Sequence, residues 1–121
     1  MLEKFTSFPS IEAILEAQKK EKRLLFEGLW DAPKAILALL FSKQSNKNIL
    51  IITGGERETR LFDDLAFFQS NKVHSFPAWE TLPGEEIIPS PDIIGKRFEI
   101  LNTLLKMDAP NIVLTPLQGA L

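Results

Sequence analysis

Apolar positions along the chain switch repeatedly between helical and extended spacing. In residues 10–20, Ile11, Ile14 and Leu15 fall on one helical face, with Ser10 placed to cap the helix. The charged run 19–23 ends that helix and reads as a solvated connection. Residues 23–27 (RLLFE) form a short predicted strand, GLWDA a tight loop, and residues 33–42 a helix. Asp31 is the expected cap of that helix and Pro33 takes a tolerated early position. Residues 48–53 (NILIIT) are almost wholly apolar, as expected of a parallel strand covered on both faces.

The alternation continues. Gly54 and Gly55 turn the chain into a helix over 56–68, where Leu61, Leu65 and Phe68 line one stripe. Glu56, Arg60 and Asp64 are spaced to pair along its wet face. A brief strand at 73–76 precedes a proline-rich irregular stretch, FPAWETLPGEEIIPSPD. Ser90 then caps a helix that opens with Pro91 and Asp92, and Ile94, Phe98, Leu101 and Leu105 form its apolar face. A last strand at 111–115 (NIVLT) runs into PLQGAL, where another helix begins. Strand–helix alternation of this kind predicts an α/β fold: a parallel sheet of about four strands, with helices on both faces. The expected organisation is an N-terminal helix and connection over residues 1–22 and one lobe over residues 23–121, truncated at its C-terminal end.

Composition narrows the chemistry. The 121 residues are 45% hydrophobic and 25% charged, the balance of a globular domain. Fourteen basic against sixteen acidic side chains leave a formal charge of -2, which argues against a free-standing DNA-binding module. Cysteine is absent, which removes disulfides and thiolate metal sites, and the one histidine, His74, reads as a polar edge residue. The N-terminus has no signal-peptide pattern and no apolar run is long enough to cross a membrane, so a cytoplasmic setting is expected.

Ligands of such sheets bind at the carboxyl ends of the strands, where GLWDA and TGGE should lie. Residues 28–35 (GLWDAPKA) have the position and length of a phosphate-binding loop, G-x-x-x-x-G-K-[ST]. Gly28 and Lys34 are in register, but Pro33 replaces the second glycine and Ala35 the hydroxyl residue. Proline removes a backbone N–H from the phosphate cradle, and alanine offers no oxygen to Mg²⁺. Trp30 and Asp31 add bulk and negative charge where a triphosphate would sit. Asp63 and Asp64 fall inside a helix and do not make the second nucleotide motif. On spacing alone the segment is equally an ordinary strand-to-helix turn, and Gly54-Gly55 simply a turn. No catalytic, cofactor or metal residue is assigned.

The stretch 76–101, FPAWETLPGEEIIPSPDIIGKRFEIL, resembles the N-terminal module of bacterial transcription-repair coupling factors. The family pattern, roughly Trp-Glu-x-Leu-Pro, an acidic stretch, Pro-x-x-Asp-Ile and a following Arg, falls on Trp79, Glu80, Leu82, Pro83, Pro89, Asp92, Ile93 and Arg97. The layout from EGLWDAPKAI to IVLTPLQ also fits, from about Leu24 onward, while Gly84 departs from the aromatic residue common after Leu-Pro. The resemblance implies a helicase-type, degenerate P-loop NTPase-like subdomain, similar to the excinuclease B protein without its ATPase motifs. It implies a parent that is an ATP-dependent DNA translocase, displacing stalled RNA polymerase and recruiting nucleotide-excision repair to damaged DNA. ATP and Mg²⁺ would act in its motor domains, and this lobe would be a non-catalytic scaffold needing no cofactor. Its implied partners are the remaining domains, with the excinuclease A protein bound mainly through the neighbouring lobe, and RNA polymerase and DNA through other domains.

Two readings stay open at the motif. Trp79 is a partner anchor or the residue that packs the proline-rich loop on the sheet edge. Glu80, Asp92 and Arg97 form a contact surface, or an internal ion pair or cap that orders the loop. The competing functions are a nucleotide-binding ATPase subdomain with an unusual loop and a DNA-contacting lobe. Because no strand carries the second nucleotide motif, an exposed apolar edge or face is also expected.

Overall fold

The computed structural model describes residues 3–54, 58–69, 72–79, 84, 86, 88, 90–106 and 110–120. In chain order the elements are α1 (Glu3–Thr6), α2 (Pro9–Lys20), α3 (Asp31–Ser45), β1 (Ile49–Thr53) and α4 (Glu58–Gln69). β2 (Val73–Ser75), α5 (Pro91–Leu105), β3 (Ile112–Pro116) and α6 (Leu117–Ala120) follow. Three strands make one parallel sheet in the order β1-β3-β2, with Ile49 opposite Ile112 and Val73 also opposite Ile112. The ladder runs one residue past β2, where the Phe76 N–H donates to the Leu114 carbonyl at 2.8 Å.

The core lies between this sheet and the pair α3/α4. Ile112 and Leu114 of β3 meet Ala35, Ala38 and Leu39 of α3, Leu61 and Leu65 of α4, and Val73 of β2, with Ile49 and Ile51 packed alongside. Side chains alternate across a strand, so Leu50, Ile52, Val113 and Thr115 belong to the opposite face. The chain moves from β1 to the far edge at β2 and back to the centre at β3, with α4 in the first crossover and α5 in the second. The α5 side is thinly covered: Ile100 is the buried residue of that helix.

Several boundaries differ from the sequence reading, each for a physical reason. Residues 23–27 form no strand, so the sheet has three strands instead of four. A strand exists only through a neighbour's ladder; here Phe26 stacks on Phe41 of α3 at 6.1 Å, while Leu25 is 84% exposed. Helix α3 begins at Asp31, not Pro33, because proline is accepted anywhere in a first turn whose N–H groups lack helical partners. Trp30 is its N-cap and no side chain caps it, so Asp31 is the first helical residue and not the cap. At the other end Asn46 adopts the left-handed conformation (φ 53°) that closes the helix. Helix α2 is opened by Pro9 after an extended Phe8, the geometry a residue before proline prefers, which puts Ser10 inside the helix.

Two further differences concern burial. β1 is not covered on both faces: Leu50 is 61% exposed and Ile52 is also exposed. The apolar stripe of α5 also faces outward, with Phe98, Leu101 and Leu105 exposed. The start of α5 follows expectation, Ser90 Oγ accepting from the Ile93 N–H at 3.4 Å ahead of Pro91. His74, read as an edge residue without a role, pairs through Nε2 with Asn111 Oδ1 at 3.0 Å. The Asn111 N–H in turn donates to Asn48 Oδ1 at 2.8 Å, which closes the amino-terminal rim of the sheet. Among the described residues, no helix is long and apolar enough to cross a membrane.

Candidate functional site

At the α3 end of the site, the phosphate-loop positions are all described. Gly28 has φ 72°, a left-handed conformation that glycine adopts without a Cβ penalty. Trp30 then projects into solvent. Asp31 opens α3 with its carboxylate at the positive end of the helix, where negative charge is favoured. That carboxylate is only 14% exposed and lies 3.3 Å from Nε of Arg60 on α4. Arg60 therefore reaches Asp31 across two helices; the Glu56 expected to pair with it lies outside the described residues.

Two of the backbone donors a phosphate would use at this turn are missing or committed. Pro33 sits third in α3 and has no N–H, and the Lys34 N–H donates to the Trp30 carbonyl at 3.1 Å. Lys34 is exposed to solvent. Ala35, at the position of the metal-side hydroxyl, is 0% exposed and belongs to the core between α3, α4 and β3. An open hollow of about 310 Å³ does lie at the carboxyl ends of the strands. Among the described residues Thr59, Phe62, Ser75, Pro77, Ala78 and Pro116 line it, and none of these six carries a charge to balance a triphosphate. Among the described residues, no cluster of three His, Asp or Glu side chains is placed to hold a metal ion.

The second group of positions surrounds Arg97. Glu80, Leu82, Pro83 and Pro89 lie outside the described residues, as does Gly55. Trp79, Asp92 and Arg97 are described, and the structure brings two of them together. The guanidinium carbon of Arg97 lies 4.0 Å from the Trp79 ring centroid and 4.2 Å from that of Phe76. Cations are attracted to the negative faces of aromatic rings, and here one is held between two. Its NH1 group donates to the Pro77 carbonyl at 2.7 Å and to the Gly119 carbonyl at 3.2 Å. Burial lowers the Arg97 pKa from its ordinary value. Asp92 stands exposed at the second position of α5, and among the described residues no carboxylate pairs with Arg97.

Phe76 and Gly119 did not stand out in the sequence, because their roles come from contacts 21 and 22 residues away from Arg97. A Cβ on Gly119 would meet Thr115 Oγ1 and come within 3.3 Å of the Phe76 carbonyl, so α6 lies flush against the segment after β2. Asp31–Arg60 was likewise invisible, although an acidic residue opening a helix beside an arginine on the next helix was the available signal.

No family model matches the chain. Curated relatives do, and they are transcription-repair-coupling factors from several bacteria. The chain is 30% identical over 93 residues to the one from Escherichia coli, covering 77% of this chain. It is 29% identical over 77 residues to that of Rickettsia typhi and 26% over 94 residues to that of Bacillus subtilis, covering 62% and 76% of this chain. The matched region is 7% of the Rickettsia typhi protein and 8% of each of the other two, so the chain spans a small fraction of these relatives.

Proposed function

Starting from a chain related in sequence to one short part of transcription-repair-coupling factors, we propose that it is a non-catalytic interaction lobe of such a protein. One observation carries the reading: the first turn of α3 is short of two phosphate donors and offers no metal-side oxygen. Pro33 has no N–H, the Lys34 amide is committed to Trp30, and Ala35 is turned into the core. The turn already has its own anion in Asp31, balanced by Arg60. A lobe with this architecture keeps the layering of a degenerate nucleotide-binding, helicase-type subdomain while giving up its chemistry.

In this reading the ATP-dependent translocation of the parent, its removal of stalled RNA polymerase and its use of ATP and Mg²⁺ belong to other domains. The lobe works in the cytoplasm as a platform for those domains and helps recruit excision repair, with the excinuclease A protein held mainly by the neighbouring lobe. A pull-down on the excinuclease A protein tests the division of labour. A longer chain that includes the next lobe is expected to retain it, and this chain alone to retain little. Equal retention by both would move the contact onto this lobe. For the competing ATPase reading, labelled ATP with Mg²⁺ is expected to show no saturable binding. Micromolar saturation abolished by Lys34→Ala would establish a working nucleotide site.

A further inference from the structure

The geometry points to Arg97 as a positioning residue that latches the segment 76–79 and helix α6 to α5 as one unit. This goes beyond the repair reading and does not depend on it, since it follows from contacts within the lobe. Two pieces of chain far apart in sequence converge on one guanidinium carried by a third. Its carbon lies over the rings of Phe76 and Trp79, at 4.2 and 4.0 Å. Its edge is taken by the carbonyls of Pro77 and Gly119, at 2.7 and 3.2 Å. Two ring contacts and two hydrogen bonds from one nitrogen meet at this group, so the four contacts constrain one another. A planar guanidinium can lie over aromatic rings while its N–H groups reach carbonyls, a combination the compact ammonium of lysine reproduces less well.

The two latched parts differ in what else holds them. Phe76 is tied to the sheet independently, through its N–H on the Leu114 carbonyl. Trp79, three residues further on, is 38% exposed, and its orientation comes from the stack on Arg97. On the other side, α6 is a helix of four residues, too short to hold itself. It approaches the 76–78 backbone closely through Gly119, and Arg97 ties the Gly119 carbonyl to α5 at that same place. One side chain therefore sets both the direction in which the Trp79 indole is presented and the seat of α6.

The test uses Trp79 as its own reporter. The chain has two tryptophans, and Trp30 is exposed, so Trp30→Phe leaves Trp79 as the single indole without disturbing the core. In that background Arg97→Ala and Arg97→Lys are compared by acrylamide quenching of Trp79 and by hydrogen exchange at residues 117–120, with exchange in β3 as the control. Arg97→Ala is expected to raise Trp79 quenching about twofold and to speed exchange at 117–120 about tenfold, the scale of one lost hydrogen bond to a charged group. β3 should keep its protection. Arg97→Lys should restore part of the α6 protection while leaving Trp79 loosened, because it keeps a donor and loses the plane. Unchanged quenching and exchange in Arg97→Ala would overturn the latch, and so would a change in only one of them. Loss of β3 protection in both variants would also overturn it, by making Arg97 a determinant of the whole fold.

Discussion

The two faces of the sheet are built from similar residues and end up unequally covered. On one, Ile49, Ile51, Ile112 and Leu114 meet α3 and α4 and form the closed core. On the other, Val113 and Thr115 of the central strand are buried while Leu50 and Ile52 of β1 remain exposed, as do Phe98, Leu101 and Leu105 of α5. Composition does not separate them, since β1 is ILIIT throughout. What separates them is coverage: two helices lie across the first face, whereas α5 buries Ile100 and leaves its apolar stripe outside. An apolar pattern records the surface a segment is suited to bury, and burial itself depends on what lies opposite.

Removing the same chemistry from each face should have effects of very different size. Leu65→Ala, on the closed side at 0% exposure, should cost about 2–5 kcal/mol, the range for cavities in packed cores. Denaturant melts measure it, and a loss below about 1 kcal/mol would mean that the closed core is looser than described. A middle-sized effect is expected at the seam, where Gly119→Ala must displace the buried Thr115 hydroxyl. The cost should be about 1–3 kcal/mol, as in other overpacked sites, with the loss concentrated in α6 by hydrogen exchange. The smallest change belongs to the open face. Leu105→Gln, at 86% exposure, should shift stability by no more than about 0.5 kcal/mol. A loss as large as that of Leu65→Ala would show that the α5 stripe is covered after all.

Elements whose signals are local were readable in advance. Ser90 before Pro91 announces the start of α5 because capping chemistry needs only neighbouring residues, and the bond from Ile93 to Ser90 matches it. The strand at 49–53, the helix through Leu61 and Leu65 and the strand at 112–115 are likewise carried by their own apolar spacing. Features that depend on distant partners were not readable. RLLFE has strand-like content but no ladder to join, and Phe26 makes its contact with Phe41 instead. The start of α3 slipped by two residues because Trp30 caps it without a side-chain bond. At the candidate site, that Pro33 brings no N–H and Ala35 no hydroxyl could be read from residue types alone. The partnership of Asp31 with Arg60, and the double stack on Arg97, needed the fold to bring distant segments together.

Whether the first turn of α3 has lost its hold on phosphate is tested most directly by amide-resolved NMR of the chain titrated with Mg²⁺-ATP. Residues 28–35 are expected to show no saturable shift, because Pro33 offers no donor, the Lys34 amide is bonded to Trp30, and Asp31 already sits at the helix end. Saturable shifts centred on Gly28, Lys34 and Ala35, lost on replacing Lys34 by Ala, would contradict it.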